Sequence, residues 1–243
     1  MEKVIVVSGG SRGLGLDIVK NSLRRGWSVA TFSRSKTIEI EELLSDAGIY
    51  KRFLWRAVDA RDSLELRKFL NVVFSNFGRI DGLVNNIGIG SDGLLALMRD
   101  DDIDNCIDIN MRSTICLTRA CVRIMLQQQS GSIVNISSVN AIRGHVGVSI
   151  YSATKAGMEG FSRCLARELG EKSIRVNTVA PGYFESNMVS NLSDEQIARI
   201  ARRTPLGRLA RIEEVSEAVI FFLSEKSSFI TGQLLAIDGG ITC

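Results

Sequence analysis

Proline is almost missing from this chain of 243 residues, which carries only Pro181 and Pro205. No Gly/Ser-rich or charge-rich stretch divides the chain either, so no linker is marked and one domain over residues 1–243 is expected. Histidine is scarcer still. His145 stands alone, without a second histidine or an acidic pair at ligand spacing, and reads as a wall or surface residue; no metal site is expected. The five cysteines (Cys106, Cys116, Cys121, Cys164 and Cys243) are odd in number and lack Cys-x-x-Cys spacing, which argues against both a disulfide framework and a zinc site. Long apolar runs are absent: the strand-like segment after Met1-Glu2-Lys3 is too short for a signal peptide or a membrane span, so a cytoplasmic protein without membrane attachment is expected. Charge is not blocked. The 30 basic and 27 acidic residues are interspersed and leave +3, which gives no nucleic-acid footprint and is enough for a small anionic ligand.

What the chain does contain is 45% hydrophobic residues, enough for one large core. Short β-branched runs at Val4–Ser8, Ser28–Ser33, Phe53–Asp59, Gly82–Asn85, Ser132–Ser137, Arg175–Ala180 and Leu234–Asp238 read as strands. Segments of helical period alternate with them, at Gly13–Arg25, Ile38–Ala47, Asp62–Asn76, Asp101–Gln128, Tyr151–Gly170, Asp194–Ala201 and Glu213–Leu223. Such alternation predicts an α/β fold of Rossmann type: a doubly wound parallel sheet of about seven strands with helices on both faces. Ligands in such sheets sit at the carboxyl ends of the strands, which directs attention to the loops after Ser8, Ser33, Asn85, Ser137 and Ala180.

The first of these loops is Ser8-Gly9-Gly10-Ser11-Arg12-Gly13-Leu14-Gly15. Glycines there let the backbone turn tightly beside a pyrophosphate that faces the first N–H groups of the next helix. The second strand ends in Ser33-Arg34-Ser35, where a carboxylate would bind the 2′-hydroxyl of NAD. Arg34 and Arg12 suit a 2′-phosphate instead, through charge-assisted hydrogen bonds, and NADP(H) is the expected cofactor. Asp59, at the end of the third strand, is placed to accept from the adenine amino group. Asn85-Asn86-Ile87-Gly88 closes the fourth strand.

Ser137-Ser138 closes the fifth strand, and Tyr151-Ser152-Ala153-Thr154-Lys155 opens the helix after it. Residues four apart share a helix face, so Tyr151 and Lys155 can point into one cleft, although the same spacing also suits a buried aromatic beside a surface lysine. A free phenol has a pKa of about 10. A nearby ammonium and the charge of an oxidised nicotinamide would lower that of Tyr151, making it a general acid for reduction.

These motifs, with Pro181-Gly182 and the terminal Asp238-Gly239-Gly240, resemble the short-chain dehydrogenase/reductases over the whole chain. The Ser138 to Tyr151 spacing, Val179-Ala180-Pro181-Gly182 and Ile230-Thr231-Gly232 are most similar to 3-oxoacyl-[acyl-carrier-protein] reductases. The resemblance implies that Ser138 polarises a carbonyl, Tyr151 protonates the alkoxide, Lys155 holds the nicotinamide ribose and supports Tyr151, and Asn110 anchors a water leading to Lys155. It implies cofactor contacts at Ser8, Gly9, Ser11, Arg12, Gly13, Leu14, Gly15, Ser33, Arg34, Ser35, Asp59, Ala60, Asn86, Ile87, Gly88, Tyr151, Lys155, Pro181, Gly182, Phe184 and Ser186. Ser8, Ile87 and Ser186 depart from the usual Thr, Ala and Thr; the hydroxyls are kept, but Ile87 adds bulk beside the cofactor.

Residues 183–206 correspond to the family's mobile substrate lid, and Tyr183, Phe184, Met188 and Leu192 give it an apolar character. Tyr183 and Met188, with Asn140 and Arg143 on the opposite wall, are the expected substrate pocket. The leading expectation is reduction of a 3-oxoacyl thioester on an acyl carrier protein or coenzyme A. The alternatives are a free ketone, polyketide, sugar or steroid and, in another class, a regulatory protein that binds NADP without catalysis, which would have no need of a proton donor. An acidic carrier would meet Arg123, Arg143, Arg167, Lys172 and Arg175, whereas Gln127-Gln128-Gln129 lies where carrier-protein reductases often present Arg. Apolar residues on more than one face of the two long helices (Ile115, Leu117, Met125, Met158, Phe161 and Leu165) suggest a homotetramer.

Overall fold

The architecture follows from two alternations, of strand with helix along the chain and of inward faces along each strand. In the computed structural model, which describes residues 2–184 and 193–243, seven strands form one parallel sheet in the order β3-β2-β1-β4-β5-β6-β7. They are β1 Val4–Ser8, β2 Ser28–Ser33, β3 Phe53–Ala57, β4 Gly82–Asn85, β5 Gly131–Ile136, β6 Ile174–Pro181 and β7 Leu234–Ile237. The helices are α1 Gly13–Arg24, α2 Ile38–Ser45, α3 Ser63–Phe77, α4 Asp100–Ile107, α5 Ser113–Gln128, α6 Val139–Ile142, α7 Ser149–Leu169, α8 Asp194–Arg203 and α9 Ile212–Leu223.

Successive side chains of a strand face opposite ways, and both sides of this sheet are covered. Val4 and Val6 face a layer formed with Leu66, Phe69 and Leu70 of α3, Leu117 and Met125 of α5 and Leu165 and Leu169 of α7. Ile5 and Val7 face Leu14, Ile18 and Val19 of α1, Ile40 of α2 and Val215, Val219 and Leu223 of α9. Full burial of each such side chain contributes about 1.5–3 kcal/mol, so the two layers fix which way every strand presents its loops. Winding reverses between β1 and β4, and the crevice opens at the carboxyl ends of these neighbours.

One expected element is interrupted. The helix expected over Asp101–Gln128 is α4, a π-helical turn at Asp108–Arg112, and α5. Asn110, a poor helix former inside that span, is the residue that fits a kink there, and it lies within the π-helical turn. Four of the residues expected on outward faces, Leu117, Met125, Met158 and Leu165, are buried within the chain, so they offer nothing to a partner. Apolar side chains do face outward on edge strand β7, at Leu234 and Leu235, and at the fully exposed Phe229 before it. Cys106 and Cys121 are core residues, while Cys164 and Cys243 are exposed. Among the described residues no helix is long and apolar enough to cross a membrane, and no cluster of His, Cys, Asp and Glu could hold a metal ion.

Candidate active site

The crevice begins at the turn from β1 to α1. Gly9 sits at φ 71°, a left-handed conformation that favours glycine. A Cβ on Gly15 would lie 2.2 Å from the Gly9 carbonyl oxygen, so only glycine lets the start of α1 close against this turn. Arg12 occupies the N-cap of α1 without a side-chain cap, and its side chain is exposed. The first N–H groups of the helix therefore remain for an anionic ligand.

Ser8 and Asn86 work inward rather than toward that opening. The buried Ser8 hydroxyl accepts from the Asn86 and Ile87 N–H groups at 2.9 and 3.1 Å, while the Asn86 amide donates to the Ser8 and Gly9 carbonyls at 3.1 and 3.3 Å. Together they lock the β1 and β4 ends into one platform. The bulk of Ile87 is taken up by packing: a Cβ on Gly9 would come 2.8 Å from its Cγ1.

At the adenosine end, Arg34 and Ser35 are exposed, and the Ser33 hydroxyl donates to the Ser35 carbonyl at 2.8 Å. Ser11 and Ala60 are buried beside these loops. Thr37 donates to the Ser11 carbonyl at 3.0 Å and ties this turn to the glycine-rich one. The Asp59 carboxylate is held by Arg61, with contacts down to 2.6 Å, and this pairing keeps its pKa below the ordinary value; Arg34 adds a smaller attraction. No carboxylate ends β2. The glycine cradle and uncapped helix fit a nicotinamide dinucleotide, and Arg34 with Arg12 fits one bearing a 2′-phosphate.

The catalytic candidates converge from β5, the π-helical turn and α7. Ser138 caps the short helix α6, its hydroxyl accepting from the Asn140 N–H at 3.2 Å, and it stands near enough to the Tyr151 phenol to favour the ionised form. Lys155 is 4% exposed. Its ammonium donates to the Ile136 carbonyl at 2.7 Å and lies 5.8 Å from the Tyr151 ring centroid. Burial brings its pKa from the ordinary 10.5 down to about 8. Gly88 is shaped by this group, since a Cβ there would stand 3.1 Å from the Lys155 Nζ.

The Tyr151 phenol differs from expectation. Burial raises its pKa, the Ser138 hydrogen bond opposes this, and Asp92 and Cys106 raise it further. The ammonium is directed to a carbonyl and not to the phenol oxygen, so the lowering expected from sequence depends on the positive charge of the oxidised nicotinamide.

Asn110, 1% exposed, lies within the π-helical turn. Its carboxamide accepts from the Ile89 N–H at 2.8 Å and donates to the Ile89 carbonyl at 3.0 Å, the Thr154 hydroxyl at 3.2 Å and the Cys106 sulfur at 3.4 Å. Beyond the water expected from sequence, its side chain joins the β4 loop to α7. Ile89 and Thr154 were missed because their parts are played through one backbone amide and one internal hydroxyl.

On the far side, Gly182 donates to the Ile237 carbonyl at 2.9 Å after Pro181 ends β6. Tyr183 accepts from the Ala210 N–H at 3.0 Å, and Phe184 packs on the core layer of α1 and α9. Arg143 donates to the Ile241 carbonyl at 3.0 Å, so that wall is fastened to the C-terminal segment. Ser186 and Met188 lie outside the described residues, as does Leu192.

A family profile described as Enoyl-(Acyl carrier protein) reductase matches residues 9–242. The chain is 38% identical over 241 residues to carbonyl reductase family member 4 of Xenopus laevis, covering 99% of this chain and 98% of that one. It is 38% identical over 246 residues to 3-oxoacyl-[acyl-carrier-protein] reductase FabG of Chlamydia muridarum, with the same coverage. With the human 3-oxoacyl-[acyl-carrier-protein] reductase it shares 37% over 242 residues, again 99% and 98% of the two chains. The chain belongs to the short-chain dehydrogenase/reductases. Membership makes it an oxidoreductase of a family that uses NAD(P)H, and gives the crevice its ligand class.

In this reductase the buried lysine makes two pH responses of opposite sign. The unfolded chain holds the Lys155 proton to its ordinary 10.5, the folded one only to about 8. Between these values the unfolded state binds more protons, so this group stabilises the fold as pH rises. Cofactor affinity is expected to move the other way, weakening above about pH 8 as the ammonium is lost. Calorimetric titration with NADP⁺ across this range checks it, and Lys155→Met should give weak, pH-independent binding.

Proposed function

We propose that the protein is an NADPH-dependent ketoreductase that converts a 3-oxoacyl thioester to the 3-hydroxyacyl product. The observation that carries this reading is the convergence of Ser138 and Tyr151 on the buried Lys155, whose ammonium lies 5.8 Å from the Tyr151 ring centroid. NADPH supplies the hydride. Ser138 donates to the substrate carbonyl oxygen, and Tyr151 gives its proton to the oxygen as negative charge develops there. A phenol kept neutral by burial is in the right state to give that proton. Lys155 holds the nicotinamide ribose and offsets the phenolate left behind, and Asn110 keeps the β4 loop and α7 in register. Catalysis then needs proton donor, oxyanion partner and ribose holder in one cleft, which a purely regulatory binding protein does not.

Support for an apolar substrate comes from the rim. The Gly93 N–H donates to the Gly147 carbonyl at 2.8 Å, linking the loop after β4 to the loop before α7. Leu94, Leu95, Leu97, Ile142 and Val146 are exposed around that link and suit an acyl chain. Tyr183, Asn140 and Arg143 complete the pocket on this reading, and residues 183–206 act as the lid of a single NADP(H)-binding domain.

The carrier is less well supported than the ketone. Arg175 is half-buried and donates to the Phe222 and Ser224 carbonyls and to the Ser227 hydroxyl, a structural task at the end of α9, which removes it from the docking candidates. Gln128 is likewise bound to both backbone groups of Ile80. Free-ketone reduction is therefore the second reading, and the carbonyl reductase of Xenopus laevis accords with it. Assembly as a homotetramer in the cytoplasm completes the proposal, with the apolar β7 edge and Phe229 as its support.

Mixing the protein with NADPH and acetoacetyl thioesters of coenzyme A and acyl carrier protein, then following loss of reduced-nicotinamide absorbance, tests the reading. Thioester turnover above that of simple ketones is expected. Turnover of simple ketones alone would favour the second reading, and NADPH binding without turnover of any ketone would overturn both.

A further inference from the structure

The turn that follows β2 is held by a side chain from the neighbouring edge strand. Trp55 on β3 pairs in register with Thr31, and its indole reaches diagonally to the end of β2, where Nε1–H donates to the Ser33 hydroxyl at 2.9 Å. That hydroxyl in turn donates to the Ser35 carbonyl at 2.8 Å. Its proton is thereby aimed into the turn, because the indole N–H can only donate and Ser33 must accept it. The face of the same ring carries Lys36, whose ammonium lies 5.6 Å from the ring centroid. A single half-buried aromatic thus grips both ends of Ser33-Arg34-Ser35-Lys36, a segment that exposes two cations and has no carboxylate of its own.

From this arrangement we infer that Trp55 is a positioning residue for cofactor discrimination, and that Lys36 is a further cation for the 2′-phosphate beside Arg34 and Arg12. The inference rests on the proposed preference for NADP(H). Two flexible cations on an unrestrained turn would lose side-chain and backbone freedom on binding phosphate; the indole removes part of that loss beforehand. Trp55 lies on edge strand β3, separated by β2, β1 and β4 from β5 and the catalytic candidates that follow it. Its effect should therefore fall on one phosphate and leave the chemical step alone.

The test uses fragments that differ by that phosphate. Calorimetry would compare adenosine 2′,5′-bisphosphate with adenosine 5′-monophosphate, on the full protein and its variants. Trp55→Phe keeps an aromatic ring and removes the N–H; it is expected to weaken the bisphosphate by about five- to tenfold, the scale of one hydrogen bond. Binding of the monophosphate and kcat at saturating NADPH should not change. Lys36→Met should show the same selective loss. Ser33→Ala, at the half-exposed end of the strand, should also weaken the bisphosphate, and combining it with Trp55→Phe should add little because both break one link. Equal weakening of both fragments in Trp55→Phe, or full additivity with Ser33→Ala, would overturn the positioning role. A parent protein that binds the two fragments alike would remove the NADP(H) preference, and this inference with it.

Discussion

Tyr151→Phe is expected to lower kcat by about 10²–10⁴-fold, the usual contribution of a placed general acid, while NADPH affinity stays at the parent value. The substitution removes one oxygen and leaves the ring, which is the part that lies 5.8 Å from the Lys155 ammonium. Lys155 keeps its bond to the Ile136 carbonyl, so the group proposed to hold the ribose is undisturbed. Ser138 also stays, tied to Asn140, and on the proposed mechanism would still polarise the carbonyl. What disappears is the proton that must reach the oxygen as the hydride arrives, and water would have to replace it without being held in place. Stopped-flow measurement of single turnovers separates this from slow product release. Near-parent turnover in the variant would place the proton donor elsewhere and sink the catalytic assignment, whatever the substrate.

The contrast between Tyr151 and the strands shows which physical facts a linear sequence carries. The three strands β1, β2 and β4 have the boundaries expected from their β-branched runs, since strands buried on both faces are apolar throughout and end where turn residues begin. Helix α7 was recognisable from its period. The π-helical turn was legible only in part: Asn110, a poor helix former inside the expected helix, fits a kink, but the extra residue is fixed by what Asn110 reaches across the crevice. The raised pKa of Tyr151 was out of reach for a similar reason. Spacing of four residues places an ammonium near the phenol, but burial depth and the competing Ile136 carbonyl belong to three dimensions. Trp55 was missed because its bond runs diagonally between strands; the available signal was an aromatic on a strand neighbouring the Ser33-Arg34-Ser35 end.

Arg34→Asp should invert cofactor preference, raising KM for NADPH by about 10–100-fold, the scale of one or two lost charge-assisted hydrogen bonds, and lowering KM for NADH. The position is exposed, so the substitution buries no charge and should leave the fold intact. Asp59, the nearest carboxylate shown to feel Arg34, is held chiefly by Arg61 and would keep that partner. The new carboxylate would repel a 2′-phosphate and would accept from a 2′-hydroxyl, so the two cofactors should respond in opposite directions. Simple loss of structure would instead weaken both. Comparing kcat/KM for NADPH and NADH with one ketone gives the answer, and because Tyr151, Ser138 and Lys155 are untouched, kcat at saturation with either cofactor should hold. Unchanged discrimination would take Arg34 out of phosphate binding and leave Arg12 to carry the preference.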